Sequence, residues 1–268
     1  MYSRVLNLKN DFEELILKLK GRLEIIIGGQ GIGEVIAKKL ASEGASVAVC
    51  DVNFETAQHV ADEIIGKGGN ALALQADVSK KADAQKMVKD TIDYFKALHI
   101  LVNNAGIVRY APIPELKEED WDAVMDVDLK GVFLCTQAVL GHMIAQKYGK
   151  IVNISSAAAI GCLSEGQSAY AAAKVGVVQF TKATALEAGP FGINVNSIAP
   201  GLIIVPSRFL RDKEQAEARI EVRRKATALR RVGYPEDIAN AALFLVSEDA
   251  SFISGQDVAV NGGRMDRM

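Results

Sequence analysis

Cysteine, histidine and tryptophan are scarce in this chain, and each scarcity excludes something. Three cysteines, Cys50, Cys135 and Cys162, have neither a count nor a spacing that suits a disulfide framework or a metal site, which points to a reducing compartment. His59, His99 and His142 are scattered without companion ligands, so they are read as structural residues and no metal is expected. Neither sign of charge dominates. Lys plus Arg total 31 against 33 for Asp plus Glu, and a net charge of −2 provides no field to hold nucleic acid or anionic lipid. No apolar run approaches a membrane span, and the opening residues mix acids and bases too densely for a signal peptide. A cytoplasmic protein with no membrane partner is expected. Internal repeats and linker-like Pro, Gly or Ser tracts are also missing, which argues against a second domain.

What is present is a chain of 268 residues, 49% of them apolar, enough for one α/β domain with a substantial core. From Leu23 onward, short β-branched runs (LEIII, SVAVCD, NALALQ, HILVNN, KIVNIS, NVNSIA, DVAV) alternate with helical periods beginning near Gly31, Glu55, Ala82, Glu118, Gln167 and Glu236. Alternation of this kind predicts a single-domain Rossmann-type fold, a doubly wound parallel sheet of about seven strands with helices on both faces. Ligands of such sheets bind beyond the carboxyl ends of the strands, so functional residues should follow strands. Residues 1–18 read as an N-terminal arm and 19–268 as the domain, with a substrate loop near 202–230. Trp121 and Phe133 are expected in the core or at a helix interface.

The first strand runs into GGQGIG, residues 28–33, and then into a helical pattern. Glycines there let backbone N–H groups approach a pyrophosphate at a helix N-terminus, where unpaired donors and the helix dipole favour negative charge. Asp51 ends the second strand 18 residues after Gly33, where an acid accepts hydrogen bonds from adenosine ribose hydroxyls and repels a 2′-phosphate. With no Lys or Arg in GGQGIG or CDVNFET, NAD is expected over NADP.

YAAAK places Tyr170 and Lys174 four apart at the start of a helix, on one face. A phenol with a free pKa of about 10 needs a neighbouring ammonium to transfer protons near neutral pH. Upstream, the strand KIVNIS delivers Ser155 and Ser156, either able to donate to a substrate oxygen.

Together these residues resemble the short-chain dehydrogenase/reductase family from about Leu19 onward. NNAG at 103–106, ADV at 76–78, VNSIAPG ending in Pro200 and Gly201, and the C-terminal PEDIANAALFLVSEDASFISGQDVAVNGG each resemble a family segment. The resemblance implies a catalytic set of Ser156, Tyr170, Lys174 and, in the position of a family asparagine, Asp128. It implies cofactor contacts at Gly28, Gln30, Gly31, Ile32, Gly33, Asp51, Asp77, Val78, Asn104, Ala105, Gly106, Tyr170, Lys174, Pro200, Gly201 and Ile203. The tyrosine exchanges a proton with the substrate oxygen, the serine polarises the carbonyl, and the lysine contacts both tyrosine and nicotinamide ribose. Hydride transfer between NAD(H) and a secondary alcohol or ketone is the expected reaction, in a homo-oligomer, tetramer or dimer.

Four departures from the family pattern stand out. The glycine loop is one residue short: either Gly28 is the first glycine with only Gly29 and Gln30 before Gly31, or Ile27 takes the first glycine position. A β-branched residue resists positive φ, which favours the shortened loop. Asp128 replaces the asparagine and, if ionised, would attract Lys174 and change the pH dependence. Val205 stands where a threonine would bond the nicotinamide amide, and the interval from Ser156 to Tyr170 is 14, one longer than expected, with the insertion placed in AAAIG. These departures leave open a dinucleotide-binding relative with little turnover; a 3-oxoacyl thioester reductase is a separate alternative, and Asp51 argues modestly against its NADP-dependent acyl-carrier-protein form. The basic run RIEVRRKATALRR, residues 219–231, is read as a solvated lid helix.

Overall fold

A computed structural model describes residues 17–161, 164–205 and 220–264. Cys162, the N-terminal arm up to residue 16 and residues 206–219 of the expected substrate loop lie outside them. Seven parallel strands form one sheet: β1 (Leu23–Ile27), β2 (Ser46–Asp51), β3 (Asn70–Gln75), β4 (Ile100–Asn103), β5 (Gly149–Ile154), β6 (Ile193–Pro200) and β7 (Asp257–Val260). Their order is β3-β2-β1-β4-β5-β6-β7. The doubly wound expectation holds.

The strands read as near-continuous apolar runs because both faces of the sheet are covered. On one face lie α1 (Ile32–Ser42), α2 (Phe54–Gly66) and α8 (Pro235–Val246), burying Ile36, Leu40, Val60, Ile64, Ile238 and Val246 against Ile26, Val49 and Val102. On the other lie α3 (Lys81–Phe95), α5 (Gly131–Gln146) and α7 (Ser168–Ala188), packing Met87, Leu134, Val139 and Met143 against Ile25, Leu101 and Ile151. Alternation within each strand therefore selects the helix layer and not a wet face.

The helical period from Glu118 resolves into α4 (Glu118–Met125), a π turn (Asp126–Lys130) and α5. The Gly131 N–H donates to Asp126 O across the widened turn, and a Cβ on Gly131 would stand 2.9 Å from Val78 Cγ2. Extra-wide turns of this kind recur at functional sites. A short helix, α6 (Ala157–Ile160), follows β5 and contains the suspected insertion. Among the described residues of the basic run, 220–225 are helical. Beyond it, Ala228 and Leu229 donate backbone bonds to Gly263 and Gly262, so this half is strapped to the C-terminal segment and is no lid helix. Trp121 and Phe133 are 37% and 41% exposed, which corrects the core placement. Phe133 meets Phe180 of α7 edge to face, so the helix-interface alternative holds for it.

One core position defies its surroundings. Glu24, second in the interior strand β1, is fully buried and neither carboxyl oxygen has a hydrogen-bond partner among the described residues. Burial pushes its pKa well above the ordinary carboxylate range. The folded state therefore holds this proton when the unfolded chain releases it, and stability falls as pH rises above the free Glu value of about 4.3. Glu24→Val should raise stability by roughly 1–3 kcal/mol at neutral pH, with a smaller gain at pH 5. Thermal melts at both pH values measure it, and an equal gain at the two would contradict the titration.

Candidate active site

From β1 the chain winds outward through β2 and β3 on one side and returns to place β4 on the other side of β1, so the carboxyl ends of β1 and β4 open a crevice. A cleft of about 830 Å³ occupies it. Ile27 ends β1, buried and in register with Cys50 and Asn103, so the glycine loop begins at Gly28 and the shortened-loop reading is the one realised. Gly28 and Gly31 have φ of 91° and 61°, a region that side-chain-bearing residues rarely adopt. A Cβ on Gly33 would stand 1.8 Å from Gly28 O, so only glycine lets α1 begin where it does. No side chain caps α1, whose first residues Gly31 and Ile32 border the cleft. Val205 also borders it, its methyls 3.4 Å from where a Cβ on Gly31 would lie.

Asp51 folds back onto the shortened loop. Its carboxylate accepts from the Gly29 N–H at 2.8 Å and the Asn53 N–H at 2.9 Å. Asp77 accepts from the Ser79 hydroxyl at 2.6 Å, and that bond holds its carboxyl below the usual range despite partial burial. Asn104 donates its side-chain amide to Gly28 O at 3.2 Å, tying the ends of β4 and β1.

At the other end of the cleft, β5 delivers two serines with different duties. The Ser155 hydroxyl lies 2.9 Å from Ile198 O and 2.7 Å from Asp257 Oδ1, so it is spent on joining β5 to β6 and β7. Ser156 Oγ accepts from the Ala158 N–H at 3.1 Å as cap of α6, which leaves its own proton to donate elsewhere. Tyr170 and Lys174 share one face of α7, with the ammonium 5.5 Å from the phenol ring centroid. Lys174 donates to Ile154 O at 3.1 Å and sits 3.1 Å from Asp128 Oδ2, the pair being 4% and 0% exposed. The other Asp128 oxygen accepts from the Ile107 N–H at 2.7 Å. Burial raises the Asp128 carboxyl, and Lys174 and the Ile107 N–H oppose the rise.

The cleft brings together nearly every expected position. Gly33 lies beneath the turn and Asp128 behind Lys174, while the others line the cavity. The sequence reading missed Cys50, Ser79, Ile107, Val108 and Leu202, also in the lining. Strand register was the signal available for Cys50, one residue before Asp51; the rest are loop neighbours of motif residues. Among the described residues no group of His, Cys, Asp or Glu is placed to hold a metal ion, and no helix is long and apolar enough to cross a membrane.

A glycine cradle and a Tyr–Lys pair at opposite ends of one crevice mark the nicotinamide-dependent oxidoreductases. The chain belongs to the short-chain dehydrogenase/reductase family: the family model described as Enoyl-(Acyl carrier protein) reductase matches residues 26–264. It is 44% identical over 248 residues to the (2S)-[(R)-hydroxy(phenyl)methyl]succinyl-CoA dehydrogenase subunit BbsD of Thauera aromatica, covering 92% of this chain and 97% of that one. It is 41% identical over 236 residues to the 3-oxoacyl-[acyl-carrier-protein] reductase FabG of Staphylococcus aureus, covering 87% and 94%. Among solved structures, a short-chain type dehydrogenase/reductase from Mycobacterium marinum superposes with a TM-score of 0.86 at 32% identity, covering 93% and 97%. The protein is an oxidoreductase on a Rossmann-type sheet.

The Gly28–Gly33 contact gives a test of the cradle. Gly33→Ala should cost roughly 1–3 kcal/mol by overpacking and weaken NADH binding. Thermal melts and NADH fluorescence titration measure the two effects, and unchanged binding would show that the turn does not hold the dinucleotide.

Proposed function

We propose that this protein interconverts a secondary alcohol and a ketone with NAD(H), using Tyr170 as the proton-exchanging residue. One observation carries the reading: the Lys174 ammonium stands 5.5 Å from the Tyr170 ring inside a cleft whose described lining offers no other cation. The lysine favours phenolate when a proton must leave, and the phenol returns that proton to a substrate oxygen in the opposite direction. Ser156, with its proton uncommitted by its capping bond, donates to the same oxygen. Ser155 is bonded elsewhere and is not assigned a role in the reaction.

The lining fits a dinucleotide. Gly28, Gln30, Gly31 and Ile32 would hold the pyrophosphate at the start of α1, supported by Gly33 beneath. Asp51 would face the adenosine ribose, Asp77 and Val78 the adenine, and Asn104, Ala105 and Gly106 the middle of the cofactor. Lys174, Pro200, Gly201 and Ile203 would border the nicotinamide. When bound, nicotinamide supplies the hydride acceptor or donor. Asp51 favours NAD over NADP, because its carboxylate at the end of β2 would repel a 2′-phosphate, while Asp77 has its charge partly offset by Lys80 at 3.2 Å.

A second reading narrows the ketone to a 3-oxoacyl thioester. It rests on the names of two relatives, one a 3-oxoacyl-[acyl-carrier-protein] reductase and the other a (2S)-[(R)-hydroxy(phenyl)methyl]succinyl-CoA dehydrogenase subunit. We also take the protein to be cytoplasmic and to act as a homo-oligomer. The apolar side chains of Phe133 on α5 and Val175 and Leu186 on α7, all exposed, support pairing with a second copy.

Purified protein should reduce NAD faster than NADP in the presence of secondary alcohols, and a panel that includes 3-hydroxyacyl-CoA esters separates the two substrate readings. Tyr170→Phe should lower kcat by about 10²–10⁴-fold while leaving NADH affinity and the melting temperature near those of the parent. Parent-like turnover in that variant, or a strong NADP preference, would overturn the corresponding assignment.

A further inference from the structure

We propose that Asp128 is a positioning residue that balances the charge of Lys174 and so sets the pH range in which Tyr170 exchanges its proton. The inference rests on the assignment of Tyr170 above. Its basis is a carboxylate placed where the resemblance leads one to expect a neutral amide. The π turn at 126–130 carries that carboxylate inward until it is fully buried. One oxygen accepts the Ile107 N–H at 2.7 Å; the other lies 3.1 Å from the Lys174 ammonium with no hydrogen-bond partner of its own among the described residues. The contact is thus ionic, and the hydrogen bond of the ammonium goes to Ile154 O. Gly106 backs the pair closely: a Cβ there would lie 2.9 Å from Asp128 Oδ2 and 3.3 Å from Lys174 Nζ. Both side chains of the pair are buried, so the two charges act on each other, and on the neighbouring phenol, with less screening than at a surface.

The surroundings leave this pair in control. Charged groups lining the cleft are Asp51 and Asp77 at the adenosine end, Asp126 and Lys174. Asp126 pairs with Lys130 at 2.9 Å on the surface, Arg109 of the loop after β4 pairs with Asp120 at 3.4 Å, and Asp257 is engaged by Ser155 and Ser197. A neutral amide at position 128 would leave the lysine charge uncancelled beside the phenol and favour phenolate. The carboxylate cancels it, which keeps the Tyr170 hydroxyl able to donate a proton at higher pH and suits ketone reduction.

Two measurements decide the matter. In the pH profile of kcat for alcohol oxidation, Asp128→Asn should move the rising limb about one pH unit toward acid, whereas a purely structural role lowers stability and leaves the midpoint in place. Ultraviolet titration of tyrosinate, taken as the difference between proteins with and without Tyr170→Phe in each background, should show the same displacement without any substrate. Coincident midpoints in the parent and Asp128→Asn backgrounds overturn the proposal. Should the asparagine variant fail to fold, Asp128→Ser removes the same charge and is subject to the same titration. Absence of turnover with every alcohol, combined with a displaced tyrosinate midpoint, would sink the functional reading and leave the charge balance standing.

Discussion

The carbonyl of Gly28 and the Cα of Gly33 approach so closely that no side chain fits between them, and the geometry of the crevice follows from that contact. It sets the start of α1 against the end of β1. The same carbonyl accepts the Asn104 amide, so β4 ends beside β1 at the same level and the switch point is held open from both sides. Asp51 completes the arrangement from β2 by holding the Gly29 N–H. A loop one residue shorter than the family pattern is thereby kept as a cradle, through backbone conformations at Gly28 and Gly31 that other residues resist.

A second set of contacts carries this order across the sheet to the reactive end. The Asn103 amide donates to Thr136 at 3.2 Å and to Asn153 at 2.8 Å, and Asn153 donates to Thr181 at 2.9 Å. All four are buried, so β4, β5, α5 and α7 are locked by bonds that water cannot replace. Because Lys174 lies on α7 and donates to the last residue of β5, the network also governs where the ammonium sits relative to Tyr170 and Ser156. The cleft is then a sorted field, with the Asp51 and Asp77 carboxylates at the end beside β2 and β3 and the Lys174–Asp128 pair at the other.

Much of this was legible from residue patterns because parallel strands buried on both faces leave an apolar signature, and because glycine turns, strand-ending acids and a Tyr–Lys pair carry their chemistry locally. The breakdowns occur where a residue's surroundings come from distant segments. Trp121 and Phe133 look like core residues by type, yet their helices face outward at those positions. The basic run at 219–231 has helical composition, yet its second half is captured by Gly262 and Gly263. Glu24 belongs by type on a surface, and its strand lies inside the sheet between β2 and β4.

By itself the sequence determined the alternation of strands and helices, the glycine turn after β1, the acid after β2 and the spacing that puts Tyr170 and Lys174 on one helical face, since each depends on neighbours within a few residues. Only the tertiary structure decided that Gly28 begins the loop, that Ser156 and not Ser155 keeps a proton to give, and that Asp128 meets Lys174 at 3.1 Å with both side chains buried. Those outcomes depend on which strand ends lie side by side and on how far a π turn carries a carboxylate inward, and such distances arise from packing between segments far apart in the chain.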